Sequence, residues 1–165
     1  MEITKRGNHS TRNTGDKYDI VIGDVFNDRS TPYHLATLEF NRLVRGNLKD
    51  DGIYLVHIVD DYEHGRYSPS FIYTLRQTFK NVYLFSTAKE GVRNGISTFV
   101  VAATDRGLDT ADYTAFVTQN GARAPAGTPY NESQLATYIS DKKPILLTDD
   151  YAPTDILVAP LIGKD

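Results

Sequence analysis

Carboxylates that follow short apolar runs are the residues best placed in this sequence to do chemistry. Asp24 lies at the end of the run YDIVIGDV, and Asp28 follows four residues later. Asp60 and Asp61 directly follow a second run, IYLVHIV. A carboxylate attracts a cation and accepts a proton, so each pair is a candidate for binding a cationic ligand or for acting as a general base.

A metal site is the other chemistry to consider, because His57, Asp60, Asp61 and His64 are closely spaced. On a strand followed by a loop these side chains do not converge, since successive strand residues point to opposite faces. Cysteine is absent from the chain, which excludes a cysteine-ligated zinc site. We therefore expect no metal centre and expect His57 to be a core or rim residue.

Apolar periodicity predicts an alternation of strands and helices that positions these carboxylates. Short β-branched runs indicate buried strands, and apolar residues at helical spacing after two Ser/Thr-Pro pairs indicate amphipathic helices. Asn131 and Gln134 are typical of a capping box at the start of a short helix. Residues 50–52 indicate a turn, and 105–130 an irregular segment. The predicted strands are 18–25, 53–59, 82–86 and 96–104, and the predicted helices are 32–48, 69–79 and 132–140.

The order strand, helix, strand, helix, strand, strand predicts an α/β fold with a mostly parallel sheet. The two helical connections make βαβ units, which cross over right-handedly. The connection between the last two strands is too short and polar for a crossover helix, so we expect that pair to be antiparallel. Ligands of such sheets bind beyond the carboxyl ends of the strands, which places Asp24, Asp28, Asp60 and Asp61 on one rim.

Composition narrows the function classes further. The chain has 165 residues, a formal net charge of −3 and a pI near 5.8, so nucleic-acid binding is not expected. No apolar run approaches the length of a membrane-spanning helix. Residues 1–17 are polar, lack a signal-peptide pattern and predict a flexible lead-in before a domain at 18–165. Together these features favour a cytoplasmic protein.

Four separate stretches of the chain share one resemblance. They are YDIVIGDVFNDRSTPYHLATLEF at 18–40, GIYLVHIVDD at 52–61, LRQTFKNVYLF at 75–85 and LTDDYAPTDILVAPL at 147–161. These stretches resemble the polyamine aminopropyltransferases, the spermidine synthase family, and most of all the spermidine-synthase-like domains that occur alone or fused to membrane segments. The resemblance implies a partial Rossmann-like sheet of the class I methyltransferase type, mostly parallel with an antiparallel final strand pair.

The activity that this resemblance implies is aminopropyl transfer in polyamine biosynthesis. The donor is decarboxylated S-adenosylmethionine as a co-substrate, the acceptor is a diamine such as putrescine, and no cofactor is tightly bound. Asp24 matches the family's catalytic general base, and its alternative role is to cap the following loop. Asp28 matches a second carboxylate for the amine only if one residue is inserted, and it is otherwise an exposed turn residue.

Further residues are implied on the amine side of the site. Tyr33 and His34 line the amine pocket, or else they tie down the preceding loop. Asp149, Asp150 and Tyr151 close the polyamine end, or else they form a solvated turn. The implied substrate-binding set is Asp28, Tyr33, His34, Asp149, Asp150 and Tyr151.

The family's nucleoside-binding half is not recognisable in this sequence. No Gly-x-Gly-x-Gly turn precedes the first strand, and 17 residues are too few for the strands and helices that the family has there. We therefore expect the C-terminal half of the domain, with the N-terminal strands of the fold absent and the nucleoside-binding residues unknown. Three interpretations stay open: an enzyme half, a non-catalytic remnant or assembly module, and a methyltransferase-like protein.

The strand at 18–24 is then expected at the edge of the sheet, although it is apolar on both faces. Natural edge strands are blunted by charge, proline or a bulge, and residues 20–25 carry none of these except Asp24. The sequence therefore predicts that this strand pairs with a second copy or with a missing N-terminal half, or that the chain is marginally stable.

Overall fold

The structure, a computed structural model, describes residues 2–4, 17–24, 32–86, 95–120 and 127–161. Five strands form one sheet in the order β1-β2-β3-β5-β4. Short 3-10 helices at Tyr33–Leu35 and Ala159–Leu161 accompany the longer elements. The strands are β1 (Glu2–Thr4), β2 (Tyr18–Gly23), β3 (Leu48–Asp61), β4 (Asn81–Ser86) and β5 (Ile96–Thr104). The helices are α1 (Leu38–Asn47), α2 (Tyr67–Leu75), α3 (Ala111–Asn120), α4 (Glu132–Asp141) and α5 (Thr154–Val158).

The strand directions confirm a mixed sheet with the predicted antiparallel final pair, β4 and β5, but the sheet is not mostly parallel, because β2 and β3 are the one parallel pair among the described strands. β2 is parallel to β3, and β5 is antiparallel to both β3 and β4. Strands β2, β3 and β4 therefore run in the same direction, with β5 inserted in reverse. We call the end of the sheet where these three strands finish the carboxyl rim, and it is the end where ligands of such sheets bind.

The turn predicted at 50–52 is wrong, because β3 continues through these residues. β2 pairs Tyr18 with Leu48 but Ile20 with Ile53, so the register shifts within β3 and the extra residues form a bulge. A Cβ at Gly52 would lie 3.0 Å from the Tyr18 carbonyl oxygen, so glycine permits this close approach. The acidic residues that suggested a turn are instead exposed residues of a long strand.

The first long helix begins later than the sequence predicts. α1 starts at Leu38 after the short 3-10 helix, and Thr37 is its N-cap residue. The Thr37 hydroxyl oxygen accepts a hydrogen bond from the Phe40 backbone N–H at 3.2 Å. Thr31, the predicted cap, lies outside the described residues.

Helix α3 occupies part of the segment predicted to be irregular, and that prediction is wrong for Ala111–Asn120. None of its side chains is buried, so it lacks the apolar stripe by which helices are recognised in a sequence. The Asp109 carboxylate accepts a hydrogen bond from the Ala111 N–H at 2.9 Å. The Tyr113 ring packs edge-on against Phe85 of β4 at 5.4 Å, which holds the helix on the sheet.

Helix α4 confirms the predicted capping box. The Asn131 side chain accepts a hydrogen bond from the Gln134 N–H, and the Gln134 side chain accepts one from the Asn131 N–H, both at 2.9 Å. Leu135, Tyr138 and Ile139 of this helix are buried and join the hydrophobic core. The capping-box pattern in the sequence therefore predicts the first residue of α4 correctly.

The sheet has one buried face and one half-exposed face. Helices α1, α2 and α4 contribute to the core that covers the first face. Register pairs fix which residues of neighbouring strands share a face. The first face carries Val21, Tyr54, Val56, Ile58, Val82, Leu84, Phe99 and Val101, all buried. The second face carries two buried residues of β5, Ala102 and Thr104, and otherwise half-buried or exposed residues: Ile20, Ile22, Ile53, Leu55, His57, Val59, Tyr83, Phe85, Thr98 and Val100.

The edge expected at the strand of residues 18–24 has a neighbour in the structure. β1 pairs antiparallel with β2, from Glu2 opposite Ile22 to Thr4 opposite Ile20. Glu2–Thr4 is thus a strand within the segment predicted to be a flexible lead-in, while residues 5–16 lie outside the described part. No helix in the described ranges is long and apolar enough to cross a membrane.

Candidate active site

Asp24 lies on the carboxyl rim, directly after β2. The parallel register pairs Gly23 of β2 with Val56 of β3, so the next residues along the two strands, Asp24 and His57, are neighbours. Oδ1 of Asp24 lies 3.6 Å from Nδ1 of His57, and the two side chains are 68% and 40% exposed, respectively. The Asp24 carboxylate is therefore accessible to a ligand and has an imidazole beside it.

His57 joins the candidate site only in the structure. The sequence predicts a core or rim position for this residue, and the structure places it on the rim beside Asp24. The missing information was the register of β2 against β3, which sets Asp24 and His57 side by side. The sequence offers one indication of this contact, because residues at the same distance along two neighbouring parallel strands lie side by side.

A small cavity of about 10 Å³ lies beside His57 and is also lined by Gly23, Leu35 and Tyr54. A Cβ on Gly23 would come within 2.8 Å of the Tyr54 hydroxyl, so glycine lets that ring pack against the end of β2. Burial raises the pKa of the Tyr54 phenol, which keeps the hydroxyl protonated. The cavity is of the size that holds one water and is too small for a diamine, so the described residues form an open rim.

Tyr33 and His34 lie in the short 3-10 helix that precedes α1. Both side chains are exposed, and their rings make an edge-to-face contact at 5.5 Å. The next residue, Leu35, lines the same small cavity as His57. The structure thus brings this segment close to the rim, whereas Asp28 lies outside the described residues.

The acidic turn at 149–151 is held against the first turn of α1. Thr148 and Tyr151 exchange two backbone hydrogen bonds of 3.1 and 3.0 Å, which closes the turn. The Asp149 N–H donates to the Glu39 carboxylate at 3.0 Å. Because α1 follows β2, its first turn lies at the carboxyl end of that strand, and so the turn lies at the same end of the sheet as Asp24. Asp149, Asp150 and Tyr151 are all exposed there.

A polar stripe along α2 holds the segment that leads into this turn. Arg66, Ser70 and Thr74 are spaced four residues apart, so their side chains line one face of the helix. The Arg66 guanidinium donates to the backbone carbonyls of residues 142 and 143 at 3.2 and 2.8 Å. The hydroxyls of Ser70 and Thr74 accept from the N–H groups of Ile145 and Leu147 at 3.2 and 3.0 Å. The stripe therefore holds the backbone of residues 142–147 against α2 by side-chain hydrogen bonds.

Asp60 is at the end of β3, but its side chain is fully buried. One carboxylate oxygen accepts from the N–H and the hydroxyl of Ser68 at 2.7 and 2.9 Å, and the Ser68 hydroxyl is 2.6 Å from that of Tyr138. Burial raises the pKa of Asp60 to about 6, although the Ser68 hydrogen bonds oppose the shift. A Cβ at Gly65 would overlap this carboxylate. Asp60 therefore caps the first turn of α2 from within the core and is not exposed on the carboxyl rim.

This geometry corrects two predictions. The expected cap at Ser68-Pro69 is wrong, because α2 begins at Tyr67 and both residues lie in its first turn. Asp60 also does not face the rim beside Asp24, since its carboxylate is turned into the core to satisfy the free N–H groups of α2.

Asp61 and His64 form a separate local structure. One carboxylate oxygen of Asp61 accepts from the N–H groups of Glu63 and His64 at 2.9 and 2.6 Å, and the His64 ring nitrogen Nδ1 lies 3.2 Å from it. Asp61 thus shapes the loop after β3. No group of three or more His, Asp or Glu side chains in the described ranges is arranged to hold a metal ion.

Comparisons with known proteins give matches among solved structures alone. No family model matches the chain, and no curated protein matches it significantly. A probable spermidine synthase from Corynebacterium glutamicum ATCC 13032 matches with a TM-score of 0.66 and 20% identity, over 81% of this chain and 48% of that one. The chain therefore spans about half the length of this neighbour.

Two further structures are more distant. A spermidine synthase from Thermotoga maritima matches 76% of this chain and 41% of its own, with a TM-score of 0.46 and 16% identity. A spermidine synthase in complex with the transition state analogue AdoDATO matches 75% of this chain and 40% of its own, with a TM-score of 0.42 and 16% identity. The match to the Corynebacterium protein, together with the strand order, confirms the predicted α/β fold. The chain has a spermidine-synthase-like fold.

Proposed function

We propose that this chain carries the amine side of an aminopropyltransferase-like active site. The acceptor is a diamine such as putrescine, and the donor is decarboxylated S-adenosylmethionine. The position of Asp24 carries the proposal, because this exposed carboxylate follows β2 on the carboxyl rim and lies 3.6 Å from His57. The spermidine-synthase-like fold supports the choice of this chemistry over other reactions of cations.

The proposed reaction is a direct displacement. A neutral amine nitrogen attacks the methylene carbon beside the donor sulfonium, and the N–C bond forms as the C–S bond breaks. The sulfur leaves with the bonding electron pair as a neutral thioether. Before the attack, Asp24, as general base, accepts one proton from the bound ammonium group and so leaves the neutral amine; after the attack the new secondary amine carries the positive charge. The protein's task is to hold the amine in line and to accept this proton.

Charge on the rim suits a dication as the acceptor. Asp24, Asp149 and Asp150 are exposed carboxylates at the same end of the sheet. His57 lies 3.6 Å from the Asp24 carboxylate and adds a polar group beside it, while Tyr33 and His34 border the same segment of the rim. The proposed substrate-binding residues are Asp28, Tyr33, His34, Asp149, Asp150 and Tyr151.

A non-catalytic binding or assembly module is the second candidate. The cavity beside His57 measures about 10 Å³ and is too small for a diamine, which favours binding on an open rim over a closed reaction chamber. This candidate predicts that the chain binds a diamine without transferring an aminopropyl group to it. The two candidates therefore differ in one measurable product, methylthioadenosine.

Calorimetric titration with putrescine tests the amine side by itself. We expect Asp24→Asn to weaken binding at least tenfold, about 1.4 kcal/mol, because it removes the charge that contacts an ammonium group. Asp50→Asn is the matched control, since it removes the same charge from an exposed position near the amino end of β3. Equal weakening by both variants contradicts the role of Asp24.

An assay of methylthioadenosine release from the donor and putrescine tests the transfer step. We expect Asp24→Asn to slow release by about 100-fold or more, since a positioned general base contributes that much to a reaction rate. Putrescine binding that depends on Asp24 without any release of methylthioadenosine selects the non-catalytic candidate.

A further inference from the structure

Strand β4 is the last strand of the sheet, and the second half of its outer edge is paired with another segment of the chain. The carbonyls of Leu84 and Ser86 accept from the N–H groups of Tyr130 and Gly127 at 2.9 and 2.7 Å, respectively. The chain then leaves this edge, because Asn131 is the N-cap residue of α4. The first half of β4 lies beyond the paired region.

Val82 lies in this first half and carries outward-facing backbone groups. In an antiparallel ladder, every second residue directs its N–H and C=O groups to the same side of the strand. The Leu84 carbonyl points away from β5 towards Tyr130, so both backbone groups of Val82 also point away from β5. Within the described ranges, no residue outside the sheet forms a hydrogen bond with either group. A strand edge of this kind is a template for a further strand.

A groove of about 790 Å³ lies along this part of β4, and we call it the edge groove. Its volume is within the range of roughly 300–1,000 Å³ that is typical of ligand-binding clefts. The end of α2 and the start of α4 form one wall, on the first face of the sheet, and the start of α3 forms the other. The residues used below to describe its lining are Phe79, Val82, Thr110, Thr114 and Leu135.

An extended peptide is the ligand whose backbone matches Val82. One residue of such a peptide donates its N–H to the Val82 carbonyl and accepts from the Val82 N–H, as opposite residues of an antiparallel pair do. Its side chain lies on the same face as that of Val82, towards the apolar wall of Phe79 and Leu135. The residues before and after it point to the other face, towards Thr110 and Thr114. The edge groove therefore favours an apolar residue between two polar ones.

The charge of the edge groove favours an acidic peptide. Among the described lining residues, Arg76 and Lys80 are cationic and Glu132 is anionic. The Arg76 guanidinium lies 3.0 Å from the Glu132 carboxylate, so the Lys80 ammonium gives the lining a net positive charge. A second copy of this chain fits less well, because its own α3 and α4 would meet the walls of the groove.

We propose that the edge groove binds an extended acidic peptide segment of another protein, which adds to β4 as a strand opposite Val82. In this mode of recognition the main-chain hydrogen bonds supply affinity, and pockets for alternate side chains supply specificity. The groove lies at the start of β4, at the end of the sheet opposite the carboxyl rim. The inference therefore does not depend on the reaction proposed above.

Amide hydrogen exchange measured by NMR tests this proposal. In the free chain we expect the Val82 N–H to exchange at least tenfold faster than the Tyr83 N–H, which points towards β5 and is bonded within the sheet. The probe is a peptide with blocked ends and the sequence Thr-Asp-Thr-Val-Thr-Asp-Thr, and we expect it to slow exchange at Val82 at least tenfold. The same peptide with an N-methylated valine cannot donate to the Val82 carbonyl and is the control.

A pair of chain variants tests the contribution of charge. We expect Lys80→Gln to weaken binding of the acidic peptide about threefold, as the loss of an exposed ion pair does. Lys49→Gln is the matched control, because Lys49 pairs with Asp19 and does not line the groove. Equal weakening by the two variants contradicts the preference for an acidic peptide.

Three further outcomes overturn the proposal. Equal exchange rates at Val82 and Tyr83 in the free chain show that the edge is already paired. Equal protection by the two peptides, or protection by neither, shows that the peptide does not add to β4 as a strand. Protection that grows with chain concentration in the absence of peptide, together with a dimer mass in light scattering, assigns the edge to a second copy.

Discussion

Asn41 is a polar residue at a fully buried position of α1. Both atoms of its side-chain amide lack a hydrogen-bond partner, and the residue has no exposed surface. An unsatisfied buried polar group costs about 1–3 kcal/mol. We expect Asn41→Leu to raise the free energy of unfolding in urea by about 1 kcal/mol. The control is Asn47→Leu at an exposed position of the same helix, and a loss of stability in Asn41→Leu alone contradicts the argument.

Asp60 makes stability depend on pH in the direction opposite to that of most carboxylates. Its pKa in the folded chain is raised from 3.8 to about 6, mainly by burial. The folded state therefore holds the proton more tightly, and this contribution is fully present below pH 3.8 and is lost as the pH rises through 6. We expect the stability of the unmodified chain relative to Asp60→Asn to fall between pH 4 and pH 6.5 in urea unfolding. A difference that is constant over this range would falsify the assignment.

At the scale of elements, the polar stripe of α2 replaces strand pairing for the segment that leads to the acidic turn. The buried Thr74 hydroxyl accepts from the Leu147 N–H at 3.0 Å, and the Leu147 carbonyl accepts from the Leu38 N–H at 2.8 Å. One backbone residue thus joins α1 to α2. This connection links the position of the turn at 149–151 to the packing of both helices.

Removal of the Thr74 hydroxyl tests this connection. Thr74→Val keeps the shape but leaves the buried Leu147 N–H without an acceptor, so we expect a loss of about 1–3 kcal/mol in unfolding free energy. Thr74→Ser retains the hydroxyl and is the control, with a smaller loss from the missing methyl group. Equal losses in the two variants indicate that packing, not the hydrogen bond, stabilises the segment.

At the scale of the whole molecule, the two ends of the sheet carry different groups: an exposed carboxylate at the carboxyl rim and an ion pair at the opposite end. Asp105 follows β5 at the end opposite the carboxyl rim, where its carboxylate lies 2.7 Å from the Arg45 guanidinium and 3.1 Å from the Lys80 N–H. Burial by itself raises the pKa of Asp105, but the Arg45 and Lys80 hydrogen bonds outweigh it and lower the pKa. The ion pair joins the end of α1 to the residue after β5, and the Lys80 hydrogen bond adds the residue before β4 to this end of the sheet, opposite the rim that carries Asp24.

We expect Asp105→Asn to lower the free energy of unfolding by about 1 kcal/mol at neutral pH and to leave putrescine binding unchanged. Because the pKa is lowered in the folded state, the stabilisation is present above the ordinary carboxyl pKa and is lost as the pH falls below it. Urea unfolding at pH 7 and pH 3 measures the change in stability, and calorimetric titration measures putrescine binding. A change in putrescine affinity contradicts the separation of the two ends.

Local patterns predicted much of the fold. The apolar run at 96–104 predicted both ends of β5 correctly, and the Asn131 and Gln134 pair predicted the first residue of α4. Both predictions succeed because periodicity and capping act over a few neighbouring residues. The same local reasoning failed at 50–52, where the pairing of Tyr18 with Leu48 overrides the turn propensity of the acidic residues. It failed again at α3, which has a cap and one aromatic contact but no apolar stripe.

The sequence by itself determined the order and type of the main elements and the position of Asp24 at the end of a buried strand, since these depend on local periodicity. The tertiary structure alone decided that His57 lies beside Asp24, that Asp60 turns inward to cap α2, and that the acidic turn is tied to α1. It also decided which sheet face stays open. Each of these features depends on strand register or on contacts between residues distant in sequence, and no local pattern encodes them.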